Sequence, residues 1–263
     1  MKTRINDISQ TNDAGKREDS PQANESGQSG GSPQENNILH ILVLADHKSK
    51  FLYDYYDPER VKDIDLIISC GDLPPEYLTF FVTLCNVPLL YVRGNHDNKY
   101  DMKPPEGCIC IEDDIYVHQG IRIMGLGGSM EYIPGSGGQY TERQMQKRVR
   151  KLRFKLWKHK GFDILVTHAP AYHVNDMEDL PHRGFSVFRT LMEKYEPKFF
   201  LHGHVHANYG RNFKRLDTYA NTTVINAYDF YVIEYPLGET SCPGPILPES
   251  IFQKPVSFCR KIR

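Results

Sequence analysis

The chain has 263 residues, and its 32 basic and 33 acidic side chains leave a net charge of −1. With 40% apolar and 25% charged residues the composition is globular, which excludes a solvating acidic chain and a protein that holds nucleic acid through overall charge. No apolar run approaches the roughly 20 residues of a membrane helix and no apolar signal core opens the chain, so the expectation is a soluble, cytoplasmic protein with no membrane partner and no strong nucleic-acid signal.

Residues 1–37 contain no aromatic and only five apolar side chains, a polar tail that cannot offset its ordering entropy by burial. Composition changes at Ile38, and strand-length apolar runs follow at 38–45, 64–70, 88–92, 121–128, 162–167, 198–202, 222–226 and 231–235. Unbroken apolar strands imply sheets covered on both faces, hence an α/β layered domain over 38–236. Between them, Asp57 with Pro58 fits a helix N-cap and first position, and Thr141 with Gln144 fits a capping box. The helix from Thr141 places Met145, Val149, Leu152 and Leu156 on one buried stripe. Its other face, carrying Arg143, Lys147, Arg148, Arg150, Lys151, Arg153, Lys155 and Lys158, reads as solvated. Residues 237–263 form a Pro-rich extension ending in Arg260, Lys261 and Arg263. The six cysteines show no CxxC pair and no framework spacing, and read as reduced thiols.

Eleven histidines stand against a single tryptophan. Several fall, with carboxylates and an amide, just beyond strand ends: Asp46 after ILVLA, Asp72 after IISCG, Asn95 after LLYVRG, His168 after ILVT, and His204 and His206 after FFLHG. In open α/β sheets sites form outside the carboxyl ends of strands, so these loops aim at one crevice. The donor set is hard to borderline and suits Mn, Fe or Zn. A shared carboxylate would bring two cations within the roughly 3.5 to 4 Å that two-metal hydrolases use to polarise phosphoryl oxygens and generate hydroxide at neutral pH.

The chain here resembles the calcineurin-like metallophosphoesterases over roughly residues 40–235, and within them the small bacterial-type phosphoesterases. The matching segments are Asp46, Gly71-Asp72, Gly94-Asn95-His96-Asp97, GLGGS at 125–129, His168 in THAP, and Gly203-His204-Val205-His206. The resemblance implies a four-layer αββα sandwich, two mixed sheets flanked by helices. It implies that Asp72 bridges two divalent ions, most simply Mn, with Fe or Zn as alternatives. One ion further receives Asn95, His168 and His204, the other Asp46 and His206. A bridging hydroxide then attacks a small phosphoester such as a nucleotide, and His96 protonates the leaving oxygen while Asp97 holds its ring. The loop from Asp176 to Gly184 puts His182 and Arg183 forward as substrate contacts.

One position departs from the family pattern. The first motif is usually DxH, and Asp46-His47-Lys48 has lysine where the ligand histidine belongs. Three readings stay open: His47 substitutes, Lys48 places a fixed charge near the phosphate, or the first metal binds weakly. The third is preferred. The competing class is a degenerate scaffold of the same fold, against which the intact GNHD block speaks. A protein phosphatase is disfavoured, since Gly71-Asp72 continues as Leu73-Pro74-Pro75 without an arginine-bearing extension.

Overall fold

The first apolar run shows how the fold is built. Along Ile38–Ala45, Leu39, Ile41, Val43 and Ala45 enter one core while Leu42 and Leu44 enter another, because successive side chains of a strand point to opposite faces. A strand apolar on both faces must be covered on both. The computed structural model describes residues 38–209 and 213–238. The polar tail and all but the first two residues of the Pro-rich extension lie outside the described residues.

In chain order the elements are β1 (Ile38–Ala45), β2 (Leu66–Ser69), α1 (Pro75–Cys85), β3 (Leu89–Tyr91), β4 (Ile109–Cys110), β5 (Asp114–His118), β6 (Ile121–Leu126), β7 (Ser129–Met130) and β8 (Gln139–Tyr140). There follow α2 (Glu142–Lys151), α3 (Arg153–His159), β9 (Ile164–Thr167), α4 (Ser186–Tyr195), β10 (Phe199–His202), β11 (Leu216–Tyr219), β12 (Thr222–Asn226) and β13 (Asp229–Pro236). One sheet has the order β13-β1-β2-β3-β4, parallel except for β13; the other runs β11-β12-β10-β9-β6-β5, antiparallel only at its two edges. The sheets pack face to face through Ile41, Val43, Ile68, Ile123, Val166 and Ile225. Helix α1 covers the outer face of the first sheet through Tyr77, Leu78 and Phe81. Helices α2, α3 and α4 cover the second through Met145, Leu156, Phe188 and Met192. This is the four-layer αββα sandwich with mixed sheets.

Local sequence accounts for the element boundaries. Helix α1 opens on Pro74-Pro75 and closes on Asn86, which takes the left-handed conformation at φ 50°. The capping box at Thr141 and Gln144 is present in full. Three expectations are corrected. Asp57 does cap a turn, its carboxylate accepting the Glu59 N–H at 3.1 Å, but the apolar pattern behind it is too short and only a three-residue 3-10 turn forms. The helix from Thr141 breaks at Leu152 into α2 and α3. Arg148, read as solvated, is buried against Glu112 and Asp113, with a hydrogen bond to the Gly127 carbonyl at 2.6 Å. A buried guanidinium satisfied by two carboxylates and a carbonyl is the exception that charge patterning alone does not anticipate.

Candidate metal centre

Parallel strands deliver their carboxyl ends to one side, and the two facing sheets do so together. From the first sheet come Asp46 after β1, Asp72 after β2 and the segment Gly94 to Asp97 after β3; from the second come His168 after β9 and His204 to His206 after β10. The loops approach closely because glycine lines them. A Cβ at Gly94 would lie 2.0 Å from Asp72 Oδ1, and one at Gly203 would lie 2.6 Å from Asp46 Oδ2. Across the sheets, the His204 N–H donates to Asp46 Oδ2 at 2.9 Å; within the first sheet, the Asp46 N–H donates to the Gly71 carbonyl at 3.1 Å.

Three donor atoms converge on His168 Nε2 and make with it a group of four. Asp72 Oδ2 lies at 3.2 Å, Asn95 Oδ1 at 3.1 Å and His204 Nδ1 at 3.1 Å. The other ring nitrogen of each histidine faces a backbone carbonyl, His168 Nδ1 the one of Cys70 and His204 Nε2 the one of Pro181, both at 2.8 Å. A carbonyl only accepts, so both of those nitrogens are assigned as donors and the facing nitrogens are left as lone pairs. The result is a carboxylate oxygen, an amide oxygen and two imidazole nitrogens aimed at one another, with no more than one proton, on His168 Nε2, between them. A single proton on His168 Nε2 can satisfy one of these acceptors well, whereas a divalent cation can satisfy all of them. The residues fit a metal.

The electrostatics agree. Burial works to lower the His168 pKa, but the Asp72 carboxylate beside it reverses that and pushes it up to about 10. Burial likewise works to raise Asp72, and the His168 charge, its hydrogen bond and the His96 N–H outweigh it and hold the carboxyl well below the usual range. Positive charge is thus drawn to this point. Burial lowers His204 to about 3, which keeps its imidazole neutral as a ligand must be. A second donor pair stands beside the first group: Asp46 Oδ1 is buried, accepts no hydrogen bond, and lies 3.3 Å from His206 Nε2. A buried carboxylate oxygen without a partner is costly unless a cation meets it.

His96 is exposed, with its backbone N–H donating to Asp72 Oδ1 at 2.8 Å, so its ring stands at the rim of the cluster. Asp97 is used differently from the expectation. It is buried, and its Oδ2 accepts the N–H groups of Asp72 at 2.7 Å and Gly94 at 2.8 Å; among the described residues no hydrogen bond joins it to the His96 ring. Its carboxylate buckles the two ligand loops together. His47 bonds Asp229 at 3.2 Å, and Lys48 places its Nζ 3.3 Å from the centre of the Tyr53 ring. His182 lies at the site, its ring 5.1 Å from that of His204, and is held by Asp179 at 2.6 Å. Arg183 is exposed and bonds back to the Glu178 carbonyl of its own loop.

Two site residues escaped the sequence reading. Tyr209 stacks on His206 with ring centres 4.5 Å apart, and Tyr228 lies 5.0 Å from the same ring. The three-residue spacing from His206 was a signal for Tyr209. Tyr228 gave none, because it reaches the site through its bridge to Ala45 at the end of β1. The Tyr132 hydroxyl lies 3.5 Å from Asn95 Nδ2.

The chain is similar to the human and mouse proteins named Metallophosphoesterase domain-containing protein 1, each 24% identical over 208 residues that make up 64% of this chain. It spans 62% of the length of those relatives. Among solved structures, that of TT1561 from Thermus thermophilus superposes with a TM-score of 0.51 at 18% identity, covering 73% of this chain and 90% of that one. Another superposes at 0.56 with 15% identity, covering 75% and 95%. At these identities the likeness is one of fold. The model of the calcineurin-like phosphoesterases matches residues 34–208, and the chain belongs to that family.

Proposed function

We propose that the protein hydrolyses small phosphoesters with two divalent cations. The observation that carries this reading is the convergence of Asp72 Oδ2, Asn95 Oδ1 and His204 Nδ1 on His168 Nε2. Asp72, Asn95, His168 and His204 would hold one ion, and Asp46 and His206 the other, with Asp72 shared. Bound there, the cations polarise phosphoryl oxygens and generate hydroxide at neutral pH. The chain's own residues do the rest. His96 stands at the solvent edge, where it donates a proton to the leaving oxygen. His182, fixed by Asp179 beside His204, contacts the substrate. An oxygen and imidazole donor set of this kind suits Mn, Fe or Zn.

The two ion sites differ in strength. The ion at Asn95, His168 and His204 has four donors with Asp72; the one expected to bind weakly has, besides the shared Asp72, Asp46 and His206, because His47 and Lys48 are turned to Asp229 and Tyr53. Metal analysis after dialysis is expected to find one tight equivalent, with a second taken up only at higher Mn, and two tight equivalents would overturn this ordering. Hydrolysis of bis-p-nitrophenyl phosphate with Mn is expected to fall by roughly 10² to 10⁴ in His96→Ala with Mn binding retained. Wild-type protein that binds Mn and hydrolyses neither diester nor monoester would instead be a scaffold built on this fold.

A further inference from the structure

We propose that the outward face of α2 and α3 docks onto an anionic lipid surface. Between residues 143 and 160 the chain carries nine Lys or Arg and no Asp or Glu, in a protein whose net charge is −1. Arg148 and Lys155 are engaged, the first by Glu112 and Asp113 and the second by Asp114. The other seven, from Arg143 to Lys160, are exposed, and none forms an ion pair with a described residue.

The apolar side chains make this more than a solvated helix face. Phe154 and Trp157 are 66% and 64% exposed, and their rings lie 5.7 Å apart at an angle of 32°. Scattered single apolar residues on a surface are ordinary, but two adjacent large aromatic rings inside a cationic field are not. Position explains their exposure. Arg143, Lys147, Arg150, Phe154 and Trp157 recur at intervals of four and three, and so share one stripe of the helix. Met145, Val149, Leu152 and Leu156 recur in the same way on the opposite side and are buried against the second sheet. The aromatic pair therefore stands at the outermost point of the helix, with cations along the stripe and on both flanks.

Shape decides between anionic partners. Stacking on nucleic-acid bases uses a groove that receives an unpaired strand, and entry into a duplex uses a helix that projects from its domain. Here the helices are held to the sheet along their whole buried stripe, and the two rings are exposed on the opposite side. An amphipathic face with Trp and Phe flanked by Lys and Arg matches a bilayer interface, where the rings enter the headgroup boundary and the cations meet anionic lipid. This contact lies on the surface and needs no spanning segment; among the described residues no helix is long and apolar enough to cross a membrane. It revises the expectation of no membrane partner, which rested on the lack of an apolar run long enough to span one.

The test uses the full chain and vesicles of phosphatidylcholine with and without phosphatidylserine. Trp157 is the chain's only tryptophan and reports its own environment. Its emission should shift to shorter wavelength with anionic vesicles and not with neutral ones, and added salt should reverse the shift. Changing Lys147→Glu together with Arg150→Glu should weaken binding by roughly thirtyfold or more, and Phe154→Ser should weaken it further at unchanged charge. All three positions are exposed, so circular dichroism should match the wild type. No shift with anionic vesicles overturns the proposal. So does a shift produced by single-stranded oligonucleotide in place of vesicles, and so does vesicle binding indifferent to Phe154→Ser, which would mark an unspecific cation patch.

Discussion

The placement of Asp97 makes a prediction that separates two roles for a residue of the GNHD segment. If its carboxylate oriented the His96 ring, removing it would lower kcat and leave the metal in place. In the structure its Oδ2 instead accepts two backbone N–H groups, from Asp72 at 2.7 Å and Gly94 at 2.8 Å, and so ties the loop that ends β2 to the loop that follows β3. Hydrogen bonds to a charged acceptor contribute about 1.5 to 3 kcal/mol each, hence roughly 3 to 6 kcal/mol for the pair. Burial of the same charge opposes part of this, since it pushes the Asp97 pKa up to about 6, and the net loss in Asp97→Ala should sit near the lower figure, about 3 kcal/mol. For a domain of this size that lowers Tm by roughly 6 to 12 °C. Because Asp72 and Asn95 flank the buckle, Mn affinity should fall by roughly 10 to 100-fold, the usual cost of losing a group that positions ligands. Asp97→Asn keeps an acceptor oxygen and should lose less of both. Thermal melts of the metal-free protein and calorimetric Mn titration read the two quantities separately. An Asp97→Ala protein with unchanged Tm and unchanged Mn affinity, but reduced kcat, would refute this reasoning and return Asp97 to the His96 ring.

Three further outcomes are expected. Gly94→Ala sets a Cβ 2.0 Å from Asp72 Oδ1 and 2.8 Å from the Asp72 nitrogen, which forces the shared carboxylate out of place; activity should drop about 100-fold, and a kinetically normal variant would show that Asp72 is free to move. Arg148→Met leaves the half-buried Glu112 carboxylate with Arg93 alone, at 3.9 Å, and should destabilise the fold by about 1 to 3 kcal/mol in urea unfolding, whereas the double change with Glu112→Gln should recover much of that loss. Lys48→Ala should leave KM unchanged and cost less than about 1 kcal/mol, because its amine rests on Tyr53; a clear rise in KM would place Lys48 at the phosphate instead.

The parts of the fold legible in the sequence are those that local pattern determines. The run at 38–45 coincides with β1 and that at 222–226 with β12, since apolar residues of strand length flanked by polar ones leave little choice of register. Strands such as β4, β7 and β8 have two residues each and no periodicity to read. They exist only because a neighbouring strand offers hydrogen-bonding partners, as β3 does for β4. The break at Leu152 was equally hidden, because the stripe Met145, Val149, Leu152 and Leu156 keeps its period through the break and all four remain buried. At the site, residue types after strand ends aimed six residues at one crevice, and the resemblance to the family grouped Asp72, Asn95, His168 and His204 among them, which the fold brings together. The direction of a side chain was not readable. His47 and Lys48 point to Asp229 and Tyr53 for reasons of loop path, and Asp97 serves backbone donors that only the meeting of two loops creates.

Those loops carry backbone strain where the chemistry is to happen. Asp46, Asp72 and His204 take left-handed conformations at φ 62°, 57° and 69°, a region that side chains with a Cβ occupy at a cost of about 1 to 3 kcal/mol each. None is stabilised by its own strand alone. Asp46 holds the His204 N–H of the opposite sheet, its own N–H is held by Gly71, and the Asp72 N–H is held by Asp97. Each strained residue is fixed by a segment from another strand, and the two sheets are held in register by the buried core between them. A cation therefore meets donors already ordered by the fold, and its binding free energy is not spent on arranging them. By the same logic, substitutions in the core between the sheets, such as Val43→Ala or Val166→Ala, should lower the stability of the fold and leave Mn affinity unchanged for as long as the folded state is the populated one. A series of such variants in which Mn affinity falls in step with stability would show that the ligand loops lose their order before the sheets unfold.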